Sequence, residues 1–106
     1  MATFKCLVNG TIDDATRRKV GEALAELTEA RFGTPAASVA VSFTEIPPGN
    51  WYTAGEHSAA SMVLGTVPTG TSQEVREEVM AAICAAFSTI TGADHDRVMV
   101  VAADEH

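Results

Sequence analysis

Polar and apolar residues alternate from Thr3 to Val8, with Phe4, Cys6 and Val8 on one face and Thr3, Lys5 and Leu7 on the other. That period predicts a strand, which Asn9-Gly10 breaks. From Asp13 to Phe32 the period lengthens: Val20, Ala23, Leu24, Leu27 and Ala30 recur at helical spacing. Thr11 or Asp13 can cap the start of this helix, and Gly33 stops it ahead of Pro35. Ser38 to Ile46 reads as a second strand, closed by Pro47-Pro48-Gly49-Asn50 because proline brings no N–H to a ladder. Trp51 to Ala60 reads as the one long connection, and Ser61 to Val67 as a third strand. Beyond the Pro68-Thr69-Gly70 turn, Thr71 and Glu74 have capping-box spacing for a helix to Thr91. Its apolar stripe is Val75, Val79, Ala82, Ile83, Ala86, Phe87 and Ile90. Gly92 ends it, Asp94-His95-Asp96 turns, and Arg97 to Ala103 is the last strand.

The second half repeats the first at a constant offset of 59. Arg17 matches Arg76, Val20 matches Val79, Ala23 matches Ala82, Gly33 matches Gly92, Val39 matches Val98 and Val41 matches Val100, without a gap. A repeated supersecondary unit keeps its glycines and apolar spacing in this way. The fold class is therefore α/β (α+β): a tandem βαβ-βαβ chain, one domain over 1–106 with units of about 1–59 and 60–106. Its four-stranded sheet carries two helices on one face. The other face holds Leu7 and either Val98 and Val100 or their neighbours Met99 and Val101. Leaving it in water is unfavourable by roughly 25 cal/mol per Å², so self-association through this face is expected.

With 106 residues, 46% hydrophobic and 20% charged, the chain has side chains enough for one core. Its formal charge of −7, with Arg17-Arg18-Lys19 as the only basic cluster, excludes a nucleic-acid surface, which needs grouped cations. No apolar run is long enough to span a bilayer, and Met1 to Val8 lacks the apolar core of a signal peptide, so no membrane association and a cytoplasmic location are expected. Cys6 and Cys84 have no CxxC spacing and read as buried thiols. Glu56-His57 and Asp94-His95-Asp96 contain ligand-type residues without the spacing of a metal site, and no cofactor motif is present. His106 falls at a frayed end.

Ser38-Val39-Ala40-Val41, Thr44-Glu45-Ile46, Gly49, Trp51 and Ala54-Gly55-Glu56 resemble the second strand and following loop of 4-oxalocrotonate tautomerase. Asp96-Arg97-Val98, opening the last strand of a two-unit chain, is similar to macrophage migration inhibitory factor. The Pro-Pro-Gly-Asn loop is similar to that of the cis-3-chloroacrylic acid dehalogenases. These resemblances imply the tautomerase superfamily, and with it a homotrimer whose sheets turn inward.

The same resemblance implies a catalyst: an amino-terminal proline acting as general base or acid on a carbonyl compound. Here Ala2 occupies that position. A primary α-amine titrates at about 7.7–8.0, and burial in an apolar pocket lowers it, so an Ala2 amine freed by loss of Met1 can still move protons near neutrality. With Met1 retained, the Ala2 nitrogen is an amide without basicity. The family's substrate-anchoring arginines are replaced by Thr11 and Ala40, and the dehalogenase pair by Pro68 and Thr71. Without a guanidinium fork a dicarboxylate is disfavoured. Trp51 at the family's aromatic position, Tyr52 beside it, and Leu64 and Met99 leave a pocket suited to a neutral, flat or hydrophobic small-molecule ligand. Trp51 and Tyr52 also suit a subunit contact. Lys5, Glu45 and Glu56 are further ionisable groups near this region, each equally at home on a solvated surface.

Three functions follow. The first is a divergent enzyme of keto-enol isomerisation, or a related proton transfer or cyclisation, on a neutral carbonyl compound. The second is a non-catalytic small-molecule-binding or assembly protein of the same fold. The third takes the element order as ferredoxin-like and gives a dimeric module.

Overall fold

The computed structural model describes residues 2–105. Met1, on whose removal a free Ala2 amine depends, and His106 lie outside them. The first unit runs β1 (Ala2–Asn9), α1 (Asp14–Phe32) and β2 (Val39–Ile46). A hairpin of β3 (Tyr52–Thr53) and β4 (Glu56–His57) follows. The second unit is β5 (Ser61–Val67), α2 (Gln73–Thr91) and β6 (Val98–Asp104).

The offset of 59 reappears in three dimensions. Helix bounds, the N-caps Asp13 and Ser72, the C-caps Gly33 and Gly92, and the short 3₁₀ turns Ala36–Ser38 and His95–Arg97 all obey it. Both C-cap glycines sit at positive φ, 71° and 77°, where a Cβ is disfavoured. Asp13 accepts the Thr16 N–H at 2.7 Å. Ser72 accepts the Val75 N–H at 3.2 Å, so the cap lies one residue beyond the expected Thr71, whose hydroxyl instead donates to the Pro68 carbonyl.

The four strands order as β2-β1-β5-β6. β1 and β2 run parallel, as do β5 and β6, while β1 and β5 pair antiparallel at the centre. Each half therefore runs opposite to the other, and each end of the sheet combines the start of one unit with the first turn of the other's helix.

Phe4, Cys6 and Val8 of β1 and Val63 and Val67 of β5 meet Val20 and Leu24 of α1 and Val79, Ile83 and Phe87 of α2 in the core. Each fully buried side chain of this size stabilises by about 1.5–3 kcal/mol relative to exposure. Two alanines expected in the helical stripes, Ala30 and Ala82, are exposed, and Thr28 and Cys84 are buried in addition. Thr28 tolerates burial because its hydroxyl donates to the Leu24 carbonyl at 2.7 Å. On β6 the pleat settles the two options for the open face: Val98 turns to the helices, while Met99 and Val101 are 41% and 44% exposed beyond them.

Candidate functional site

Ala2 opens β1 opposite Val39 of β2, and its side chain is 3% exposed on the helix-covered face. Beside it the Thr3 N–H donates to the Thr66 hydroxyl at 3.1 Å, joining the start of β1 to the end of β5. Two arginines stand at this end, Arg31 in the last turn of α1, paired with Glu78, and Arg76 in the first turn of α2. The Arg76 guanidinium donates to the Ala102 carbonyl at 2.7 Å and the Asp104 carboxylate at 2.5 Å, fastening α2 to the end of β6.

At the far end the repeat-related Arg17 donates to the Ile12 carbonyl at 2.6 Å, and Glu45 accepts the Ile12 N–H at 2.8 Å. Glu45 is thus a loop tie in the chain. The seven steps of about 3.3 Å along its eight residues separate the two ends of β1 by about 23 Å.

The hairpin stands at this far end. Ala54 and Gly55 form its two-residue turn with φ of 52° and 81°, the paired positive values of a type I′ turn. The Ser58 N–H donates to the Trp51 carbonyl at 2.8 Å, and the Asn9 side chain donates to the Ser58 carbonyl at 2.7 Å, tying the hairpin to β1. Tyr52 and His57 are directly opposed. The His57 Nε2 and the Tyr52 hydroxyl share a hydrogen bond of 2.9 Å, and the rings meet edge to face with centroids 4.8 Å apart.

Two clefts open here. One, of about 520 Å³, has Val8, Ile12 and Phe87 as its apolar wall and reaches Ser61, the residue 59 beyond Ala2. The other, also about 520 Å³, is lined by the hairpin residues Glu56 and His57, by Asp94 and Asp96, and by Met99. Arg97 lines both. A third cleft, of about 410 Å³, lies between the helices near Leu27 and Val79. Among the described residues no cluster of three His, Cys, Asp or Glu is placed to hold a metal ion. Cys6 is fully buried, and burial pushes its thiol up to about 12, which removes it as a nucleophile near neutrality.

The sequence-derived residues therefore divide. Ala40 pairs with Thr3 beside Ala2. Leu64 lies mid-sheet, opposite Lys5 and next to Val101. Thr11, Trp51, Tyr52 and Met99 belong to the opposite end, so no single chain brings the aromatic pair to Ala2.

A family model described as a tautomerase enzyme matches residues 1–61, more than half of the chain. The chain belongs to the tautomerase family. Native Ps01740 is similar to this tautomerase-family chain with 30% identity and a TM-score of 0.89, over 97% of this chain and 93% of that one. A fused 4-OT solved as a symmetric trimer has 24% identity and a TM-score of 0.86, over 97% and 85% of the two chains. The protein N1 of the cis-3-chloroacrylic acid dehalogenase family has 16% identity and a TM-score of 0.89, over 97% and 74%. Curated proteins give no match by sequence. Among the described residues of this tautomerase-family chain no helix is long and apolar enough to cross a membrane.

The pairing of Tyr52 with His57 and the shared position of Arg97 escape a linear reading.

Proposed function

We propose that the chain is a divergent tautomerase-family enzyme that catalyses keto-enol isomerisation, or a related proton transfer or cyclisation, on a neutral, hydrophobic carbonyl compound. The α-amine of Ala2, exposed by removal of Met1 in the cytoplasm, is the base. The observation that carries this reading is the position of Ala2: it heads β1 within the family-matched segment, with its side chain packed away from water. A desolvated amine keeps a larger neutral, proton-accepting fraction near pH 7.

The surroundings favour an uncharged substrate. Pro68 and Thr71 replace a guanidinium pair, Ala40 is apolar, and Arg76 already serves Ala102 and Asp104. A homotrimer joined through the open face supports the site, since a neighbouring copy can supply the Trp51 and Tyr52 that lie at the far end of each chain. The fused 4-OT relative, solved as a symmetric trimer, supports this assembly. Two free thiols, both buried, suit a reducing compartment.

The test is mass spectrometry of the amino terminus joined to a proton-exchange assay on an aryl-pyruvate enol and a neutral aryl ketone. We expect an Ala2 terminus, faster exchange of the ketone, and a further gain for Ala2→Pro lacking Met1. A retained Met1 with ligand binding but no exchange overturns the catalytic reading in favour of a binding protein.

A further inference from the structure

We propose a second proton-transfer site, at the hairpin end of the sheet, in which His57 is the general base and Arg97 holds the developing oxyanion of an enolisable aldehyde or ketone. The substrate class rests on the reading above; the residues and their location do not.

Three observations carry it. First, residues 40 positions apart in sequence line one cleft of about 520 Å³, His57 from the hairpin and Arg97 from the turn before β6. Second, His57 is a placed group. Its Nε2 bonds the Tyr52 hydroxyl, its ring stands edge-on to Tyr52, and a Cβ at Gly49 would lie 3.9 Å from its Cε1. In the tautomer that donates its Nε2 proton to the Tyr52 hydroxyl, Nδ1 carries the free lone pair, the form a general base requires. Third, four of the five arginines have partners: Arg17 and Arg18 with Asp14, Arg31 with Glu78, and Arg76 with Asp104. The Arg97 guanidinium has no hydrogen-bond or ion-pair partner among the described residues, and its planar donors are open to an oxygen that gains charge.

The acidic side chains select the substrate. Glu56, Asp94 and Asp96 share the cleft with a single arginine, so a carboxylate ligand meets net repulsion whereas a neutral carbonyl compound does not. Met99 lines the same cleft at the edge of the open face.

The chemistry balances without a co-reactant. His57 Nδ1 takes the proton from the carbon next to the carbonyl, and the C–H electron pair becomes the new C=C bond. The carbonyl π pair moves to oxygen, where Arg97 N–H groups receive it. The proton then passes from the imidazolium to that oxygen, giving the enol and restoring His57. Tyr52 is a positioning residue that acts through the ring of His57.

The test uses the full chain with a short N-terminal extension, which keeps the Ala2 nitrogen an amide, and follows α-proton exchange of phenylacetaldehyde in D₂O by NMR. We expect the extended protein to exchange. His57→Ala lowers the rate about 100-fold, and added imidazole restores it. Arg97→Met costs about 100-fold, with partial recovery in Arg97→Lys. Tyr52→Phe slows the parent about tenfold, within the range of an orienting contact, yet leaves the imidazole-rescued His57→Ala rate unchanged. An extended protein that does not exchange, or a His57→Ala variant at the parent rate, overturns the proposal. If only the unextended chain exchanges, the Ala2 reading stands and this one falls. If His57→Ala silences both forms, the role of Ala2 falls instead.

Discussion

Phe4 covers Gly65 across the central pair of strands so closely that a Cβ at position 65 would lie 2.6 Å from its ring. The ring is 3% exposed and cannot swing outward. Gly65→Ala on β5 therefore presses on Phe4 of β1, the strand that also carries Ala2. A loss of about 1–3 kcal/mol is expected, and at about 4–8 °C per kcal/mol for a domain of this size it shows as a clear fall in Tm by calorimetry. Phe4→Leu in the same chain should recover part of it, and purely additive effects of the two changes would refute the contact as the cause.

Asp13 makes helix α1 sensitive to acid. Hydrogen bonds from Thr16, through its side chain and its backbone N–H, hold the Asp13 carboxyl below its ordinary value of 3.8, with smaller help from Arg17 and Lys19. A carboxyl depressed in the folded state stabilises fully above the unfolded value and loses that contribution as pH falls through the folded one. Asp13→Ala should lower Tm near neutrality, and the gap from the parent should narrow below pH 3.8. A gap independent of pH would show that the charge plays no part.

Neither thiol should react in the folded chain. Cys6 remains protonated far above neutrality, and Cys84 is 9% exposed with its Sγ turned toward the carbonyls of His95 and Val98. Ellman's reagent at mildly alkaline pH should release colour quickly only after denaturant is added. A fast equivalent from the native protein would contradict the packing around β1.

The open face can be tested by charge. Met99→Lys combined with Val101→Lys alters side chains that single-chain packing leaves exposed, so circular dichroism should be unchanged. Sedimentation should fall to the 11.1 kDa of one chain, because an association that buries these positions must then bury two unpaired ammonium groups. An unaltered sedimentation coefficient would remove this face from the contact.

Much of the architecture was legible because it is written twice. Ser61–Val67 and the stops at Gly33 and Gly92 follow from alternation and from the need for a left-handed residue at each helix end. The hairpin was not legible, since strands of two residues have no period and Ala54 takes a conformation usually given to Asn or Gly. The exposed side of β6 was ambiguous because Val98 to Val101 is apolar on both faces. The site was the least legible part. Trp51 and Ala2 lie at opposite ends of the sheet within one chain, and the sharing of one cleft by His57 and Arg97 depends on a turn that joins nothing adjacent in sequence.

The pairing of β1 with β5 in the middle of the sheet has a consequence for how the polypeptide can be divided. Each half begins with its inner strand, which is bonded to that of the other half, while Arg76 fastens α2 to the end of β6 and Arg17 holds the Ile12 loop ahead of α1. A backbone cut near Ala59 would sever only the hairpin connection, leaving two fragments with complementary edges and a common interior. Such fragments should find each other and reconstitute, so that the duplication survives as a heterodimer hidden inside one chain.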